Sequence, residues 1–296
     1  MARVEYGTQA GARGKMSVWK IVIITVAIFA GAVIATSLLM GYHLRSRALR
    51  AVVVCRLAEP PTSPAELAAL IEQSVSALKD RAKILRKDFK VSRAEVTPGS
   101  DGAIRVSFST LGDATEFAKQ LMRYGMLELR LVEPYMAPPE GQNGEAPAGY
   151  EWLTFSTWQV QEKPAKLVFE QERLLIKRQP ELSIRRVKEA SYRRVMTRPP
   201  VFALEVQFND DDSKAFAETT SRCLNQRLAA VMDGDVLTAP EVDAVIEGGK
   251  VRVVPFRDAD EVGRIARVLS CGALPTHLSI ESIETSGPVR RLKTDR

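Results

Sequence analysis

The chain has 296 residues, 45% of them hydrophobic and 26% charged, which is the composition of a folded protein. This composition excludes a disordered chain, and the mean hydropathy of −0.10 excludes a multi-span membrane protein. Three cysteines exclude a disulfide-dense secreted scaffold, and two histidines leave little material for metal or acid–base chemistry. The net charge of +6 comes from three basic segments, residues 1–56, 160–200 and 290–296. The regions between them are acidic, so the charge does not favour nucleic-acid binding.

The N-terminal region predicts a single transmembrane helix over residues 21–44. Its first part, IVIITVAIFAGAVIATSLLM, has no charged residue and spans about 30 Å as a helix, the thickness of a bilayer core. Basic residues flank it, and Trp19 and Tyr42 stand where interfacial aromatics occur. A signal peptide cleaved after Ala35 is the alternative, but the apolar run continues past that site. We expect an uncleaved anchor with a short cytoplasmic segment at 1–20, although the flanking charges leave its orientation open.

Residues 51–133 predict a β-α-β-β-α-β order, which is the signature of a ferredoxin-like unit. Apolar residues alternate in the strands and recur every three or four positions in the helices. Pro64 and Asp113 mark the two helix starts. The predicted strands are Ala51–Leu57, Val91–Val96, Ala103–Phe108 and Leu127–Val132.

The same order of elements is predicted again over residues 201–288. Asn209 and Asp258 begin its helices, and Gly248-Gly249 is expected to join a hairpin. The predicted strands are Phe202–Phe208, Leu228–Met232, Val242–Ile246, Val251–Val254 and Leu278–Ile283.

A Pro- and Gly-rich linker and a basic insert, together residues 134–200, separate the two units. Two segments of the insert, Trp152–Val160 and Lys166–Glu170, are predicted strands, and a basic tail follows at 289–296. We therefore predict an α+β fold of two ferredoxin-like units with an inserted head segment, behind a single transmembrane helix.

The second unit contains three short motifs in the order DG…AP turn, Gly-Gly pair and GALP helix end. Their residues are Asp233, Gly234, Ala239, Pro240, Gly248, Gly249, Gly272, Ala273, Leu274 and Pro275. In residues and in order these motifs resemble the recurring elements in the periplasmic part of the SecD family of protein-export membrane proteins. Most of residues 64–288 is similar to the family's first periplasmic region.

The resemblance implies a role in preprotein translocation and a place in the inner (plasma) membrane, with the bulk of the chain in the periplasm. The implied partners are the Sec translocon or SecD/SecF-type membrane proteins, the unfolded exported polypeptide and the lipid bilayer. The family's GLDLxGG-type motif is missing after the first membrane helix, and a polar segment follows Ile283 where the family has further membrane helices. We therefore expect an accessory protein without its own proton-driven motor.

The expected mechanism is binding, in which the first unit and the last form a stable base. The middle segment is expected to form a mobile head that holds an emerging chain, with strand edges offering backbone hydrogen bonds. Candidate contacts are the apolar positions Trp152, Phe155, Trp158 and Phe169. The alternative is an envelope scaffold derived from SecD that has lost the export role, and a third hypothesis is a cytoplasm-facing lipid or nucleic-acid binder.

The sequence contains no motif that predicts catalysis or cofactor binding. A Gly-rich phosphate loop, G-x-S-x-G, H-E-x-x-H and paired-cysteine metal spacing are all missing. The acidic run Asn209–Ser213 fits a helix cap better than a calcium loop, and Asp233 and Asp235 fit a turn better than a metal site. Cys223 and Cys271 leave a disulfide open but favour burial as small apolar residues. We expect no enzyme activity, no cofactor and no metal.

Overall fold

The computed structural model describes residues 48–99, 101–134, 145–162 and 165–287. The transmembrane helix predicted at 21–44, the cytoplasmic segment before it and the basic tail lie outside these residues. Within the described ranges, no helix is both long enough and apolar enough to cross a membrane. Leu49–Ser286 make up one compact unit.

The described residues contain four α-helices and thirteen strands. The helices are α1 (Pro64–Leu85), α2 (Ala114–Met122), α3 (Asp210–Arg222) and α4 (Ala259–Cys271). The strands are β1 (Leu49–Leu57), β2 (Val91–Pro98), β3 (Ile104–Thr110), β4 (Leu127–Leu131), β5 (Tyr150–Glu162), β6 (Ala165–Lys177), β7 (Leu182–Ile184), β8 (Glu189–Thr197), β9 (Pro200–Gln207), β10 (Leu228–Met232), β11 (Asp235–Thr238), β12 (Lys250–Phe256) and β13 (Leu278–Ser286). A short 3-10 helix, Glu247–Gly249, precedes β12.

Four strands and two helices form a substructure that we call the base. Its sheet has the order β13-β1-β3-β2, and every neighbouring pair is antiparallel. Alternate residues of β1 are buried, because one face of the sheet packs against α1 and α2. The core of the base includes Val53, Leu78, Leu85, Val106, Phe117 and Leu121.

The strand that closes the base is not the one predicted from the sequence. Leu127–Val132 was expected to close it, but β4 pairs with β10 and β7 in another sheet. Instead β13 pairs with β1 along its length. The order β-α-β-β-α is present, and the strand beside β1 comes from the far end of the chain. Alternating apolar residues identify a strand without identifying its partner, so the predicted units 51–133 and 201–288 do not coincide with the sheets.

The remaining elements form a second substructure, which we call the head. It has a six-stranded sheet of order β6-β5-β11-β10-β4-β7 and a three-stranded sheet of order β12-β9-β8. β5 and β6 form the long hairpin that the two predicted strands of the insert indicated. Both sheets contribute to one apolar core with α3 and α4, which includes Leu129, Leu204, Phe216 and Ile265.

The hairpin predicted around Gly248-Gly249 is wrong. Val242–Ile246 forms no strand, and β12 pairs with β9. The backbone of Val242 pairs instead with the segment before β10. Its carbonyl oxygen accepts a hydrogen bond from Asn225 N at 2.9 Å, and its amide donates one to Gln226 O at 3.0 Å. The apolar side chains of this segment therefore do not belong to a regular strand.

Polar cap residues identify the helix starts correctly. The Asp113 carboxylate accepts hydrogen bonds from two backbone amides in the first turn of α2, at 2.8 and 3.0 Å. The side chains of Asn209 and Asp258 each accept a hydrogen bond from one backbone amide, at 2.8 and 2.9 Å, at the starts of α3 and α4. The acidic run after Asn209 is thus a cap and first helical turn, where negative charge is favourable.

Candidate functional site

An apolar cavity of about 320 Å³ lies within the head, between its two sheets. Five strands, α3, α4 and the segment between β11 and β12 contribute to its wall. The apolar residues of the wall are Leu127, Leu129, Leu204, Val206, Phe208, Phe216, Leu228, Ala230, Leu237, Pro240, Val242, Ala244, Ile246, Val251, Val253 and Leu269. A space of this kind is suited to apolar groups and carries few groups that would fix a polar ligand.

The strand register explains why the wall is apolar. Val206 lies opposite Val251, and Leu204 lies opposite Val253, so these four side chains share one face of the small sheet. Thr220 is the buried polar residue in the wall, and its hydroxyl donates within α3 and accepts from Ile246 N at 3.1 Å. Because that hydroxyl is already satisfied, the wall offers mainly dispersion and burial to a ligand.

The segment Ala239–Ile246 brings the cavity to the protein surface. It begins with the Ala239-Pro240 part of the predicted motif, and Leu228 N donates to Pro240 O at 2.9 Å. Glu241, Asp243 and Ala244 belong to the cavity wall and are also exposed to solvent. The motif therefore forms the border between the apolar interior and water.

The Gly-Gly pair lets this border pack closely on α3. Gly248 and Gly249 have φ values of 78° and 62°, which favour glycine. A Cβ atom on Gly249 would lie 2.1 Å from Ser213 Oγ, so no side chain fits there. Phe208 N donates to Gly249 O at 2.9 Å and fixes the approach. The predicted residues are important here for a close contact rather than for a hairpin.

The DGD turn connects the head to the short link between α2 and β4. Asp233 and Gly234 have φ values of 53° and 85° in the tight turn between β10 and β11. The Asp233 carboxylate accepts from Gly125 N at 2.8 Å and lies 3.2 Å from the Arg123 guanidinium, which also pairs with Asp235. Both carboxylates of the turn thus have an arginine partner and hold this link in place.

The GALP motif joins the end of α4 to the base. Gly272 ends the helix with a φ of 81°, as the sequence indicated, and Ala273 N donates to Arg185 O at 2.7 Å. Leu274 N donates to Tyr124 O at 2.8 Å, and the Leu274 side chain is fully buried in the core of the base. The interpretation of this motif as a structural helix end is in agreement with these contacts.

Arg81 was not among the site residues predicted from the sequence. It lies on α1 with 1% of its surface exposed, and burial lowers the pKa of its guanidinium. The guanidinium donates to Leu121 O at 3.2 Å, to Arg123 O and, across the boundary with the head, to Gly272 O at 2.6 Å. It therefore connects α1, the link after α2 and the GALP motif.

A signal for Arg81 was present in the sequence. The residue stands between Leu78 and Leu85 on the apolar stripe of α1, where a charged side chain requires a partner. A second connection between base and head is the ion pair of Asp88 with Arg267 on α4. The sequence offered no comparable signal for that pair, because both residues fit exposed positions.

The four aromatic candidates do not form one surface. Trp158 lies opposite Phe169 in the β5–β6 hairpin, with ring centroids 5.0 Å apart and the Arg257 guanidinium 4.9 Å from the Trp158 ring. Phe155 is on the other face of β5 and packs against Val231 and its neighbours. Trp152 lies beside Arg173 on the hairpin, 5.3 Å from the guanidinium.

Trp158 and Phe169 line a polar cleft of about 470 Å³ that also includes Gln120 on α2 and Arg123, the residue that follows this helix. This cleft is distinct from the apolar cavity in chemistry, because hydroxyl, amide and charged side chains make up much of its wall. Contact of these aromatic residues with an exported chain stays a prediction.

The remaining candidates for chemistry are the cysteines and the acidic residues. All three cysteines are free, and burial raises the pKa of Cys55 to about 12 and also raises the pKa values of Cys223 and Cys271. Among the described residues, no group of three or more His, Cys, Asp and Glu side chains is arranged to hold a metal ion.

A family model described as the P1 head subdomain of SecDF matches residues 159–276. That range contains all ten motif residues and most of the wall of the apolar cavity. The protein translocase subunit SecD of Syntrophobacter fumaroxidans is 25% identical over 223 residues, which are 74% of this chain and 40% of the relative. SecD of Acidaminococcus fermentans is 40% identical over 89 residues, which are 30% of this chain and 21% of the relative. The chain thus spans less than half the length of these relatives.

The fold is similar to that of a solved SecDF structure. The crystal structure of SecDF in its super-membrane-facing form superposes with a TM-score of 0.56 at 23% identity, covering 81% of this chain and 30% of SecDF. This likeness confirms a mixed α and β architecture like that of the SecDF periplasmic region.

Proposed function

We propose that this chain is a SecD-family protein and takes part in protein translocation as a membrane-anchored accessory subunit; the match to the SecDF P1 head model and the similarity to SecD sequences support this. In this proposal residues 49–286 lie on the extracytoplasmic side and bind the exported polypeptide there. The proposed partners are the Sec translocon and SecD/SecF-type membrane proteins. The role requires binding and no catalytic step.

The observation that carries the proposal is the apolar cavity of the head, which lies largely in the range that matches the SecDF P1 head. A chain in transit is unfolded, so its apolar side chains are exposed, and full burial of each stabilises by about 1.5–3 kcal/mol. A cavity of about 320 Å³ lined by Leu, Val and Phe offers such burial without selecting a particular sequence. This is the requirement for a protein that handles many different exported chains.

The small sheet supports the same proposal through its backbone. β8 and β12 are its edge strands, and an extended chain beside such an edge gains main-chain hydrogen bonds that are independent of sequence. The base supplies the support in this proposal, as a ferredoxin-like unit whose fourth strand is β13. Arg81 and Leu274 then fasten the head to it.

Site-specific photocrosslinking during export tests the proposal. A photoreactive amino acid replaces Ile246, which borders the cavity and is 39% exposed, in cells that secrete a stalled substrate. The matched control position is Ile84 on α1 of the base, which is 42% exposed. We expect substrate crosslinks at Ile246 and few at Ile84, and equal labelling or labelling confined to Ile84 contradicts the proposal.

A deletion of the gene separates export from an envelope scaffold role. Slower processing of secreted preproteins supports the proposal, whereas normal secretion with altered envelope assembly supports the scaffold. A topology reporter fused after Arg296 provides an independent check, since a cytoplasmic position of the reporter contradicts binding on the extracytoplasmic side.

A further inference from the structure

We propose that the cavity of the head prefers chain segments in which Lys or Arg stands next to apolar residues. The inference rests on the proposed function and adds a substrate class to it. The feature that carries it is the charge at the border of the cavity. The apolar wall alone does not discriminate between apolar segments. A charged border, in contrast, discriminates between segments by the charge of the residues that flank the apolar part.

The border of the cavity is acidic. Glu241 and Asp243 belong to the cavity wall and are exposed to solvent, and no Lys or Arg belongs to that wall. The surrounding sequence has the same sign, because residues 239–249 contain three acidic residues and no basic one. An apolar group entering from this side therefore passes two carboxylates.

These two carboxylates are available to a ligand. No ion pair within the described residues includes Glu241 or Asp243. Arg227 forms an isolated bridge with Glu241 through the backbone, but its guanidinium makes two hydrogen bonds of 2.7 Å to Glu172 on β6. The basic residue that is close in register is thus already engaged by another acid.

The position of these charges determines what they select. Opposite charges about 4 Å apart attract and like charges repel, and the effect is modest in water and screened by salt. A segment that places an apolar side chain in the cavity holds its neighbouring residues at the border. Lys or Arg at those neighbouring positions is attracted, and Asp or Glu is repelled. The cavity therefore prefers apolar segments whose neighbouring residues are positively charged.

Three labelled peptides measure this preference on the full-length chain in nanodiscs of zwitterionic lipid, with empty nanodiscs as blank. The peptides share one apolar core and carry Lys, Glu or Gln at both ends, and fluorescence anisotropy gives each Kd. At low salt we expect the Lys-ended peptide to bind about tenfold more tightly than the Glu-ended one, with the Gln-ended peptide between them. High salt is expected to bring the three values together.

A matched pair of double variants locates the effect. Glu241→Gln with Asp243→Asn is expected to abolish the difference in affinity between the Lys-ended and the Glu-ended peptide. Glu72→Gln with Glu95→Gln changes the net charge equally on exposed positions of the base and is expected to preserve the difference.

Each outcome has a defined meaning. Equal binding of all three peptides to the native chain, or a sign preference that survives in the Glu241 and Asp243 variant, overturns the inference and leaves the proposed function standing. If none of the three peptides binds, the inference and the proposed function both fail.

Discussion

Replacing Arg81 with methionine is expected to weaken the attachment of the head to the base. Methionine fills much of the volume of the arginine stem but donates nothing, so the carbonyl groups of Leu121, Arg123 and Gly272 lose their buried donor. Each such hydrogen bond contributes about 1 kcal/mol net, and an unsatisfied buried carbonyl costs about 1–3 kcal/mol. Relief from burying the cation offsets part of this loss. We expect the free energy of unfolding to fall by about 3 kcal/mol.

Urea unfolding of the full-length chain in mild detergent, followed by tryptophan fluorescence, measures this loss. Amide hydrogen exchange then shows where it occurs, with faster exchange expected for Leu274 N, which donates across the boundary to Tyr124 O. The control is Lys79→Met, which removes a charge from an exposed position of the same helix. Surface changes of that type usually stay within about 0.5 kcal/mol.

Arg81→Lys provides a second test of the same reasoning. It keeps the charge, but one ammonium group cannot reproduce the planar fork that reaches three carbonyl groups at once. We expect this variant to lose more than half as much stability as Arg81→Met. If Arg81→Met resembles Lys79→Met in both stability and exchange, Arg81 does not fasten the head to the base.

Three other substitutions and conditions follow from the structure. Leu274→Ala leaves a cavity in the core of the base and is expected to cost about 2–5 kcal/mol in urea unfolding, against less than 1 kcal/mol for exposed Leu224→Ala. Gly249→Ala combines a φ of 62° with a clash against Ser213 and is expected to cost about 1–3 kcal/mol, whereas a cost below 0.5 kcal/mol contradicts the close contact. Burial raises the pKa of Cys55 from 9.0 to about 12, so the thiol ionises at a lower pH in the unfolded chain than in the folded protein. The stability that the protonated thiol contributes is therefore intact below pH 9 and declines as the pH rises towards 12. An unfolding series against pH detects this decline, and Cys55→Ala is expected to remove that part of it.

Several of the elements were predictable from local signals, and their partners were not. Local signals identify α1 from Pro64, α2 from the Asp113 cap, and β1 from alternating apolar residues, and the structure places all three there. Such signals depend on residues within one turn or one strand. The pairing of β13 with β1 joins residues more than 200 positions apart, for example Ser279 Oγ with Arg56 O at a separation of 223, and it leaves no local trace.

The candidate site was predictable in its residues more than in their roles. Gly248 and Gly249 were identified correctly as special, but only the contact with Ser213 shows that they serve a close approach to α3. The cavity requires side chains from several strands that are distant in sequence, such as Leu127 and Val253, so no motif could indicate it. Arg81 was not predicted, but it could have been, because a charged residue on the apolar stripe of α1 is unusual and visible in the sequence.

The pairing of β13 with β1 has a consequence for the order in which the protein is assembled. During synthesis the first three strands of the base and all of the head precede β13, so β1 lacks its outer neighbour until the last strand emerges. The head can complete its own local contacts earlier, because β5 with β6 and β8 with β9 are sequence neighbours. Closure of the base therefore has to wait until β13 (Leu278–Ser286) has been synthesised, whereas these local contacts of the head can form before it.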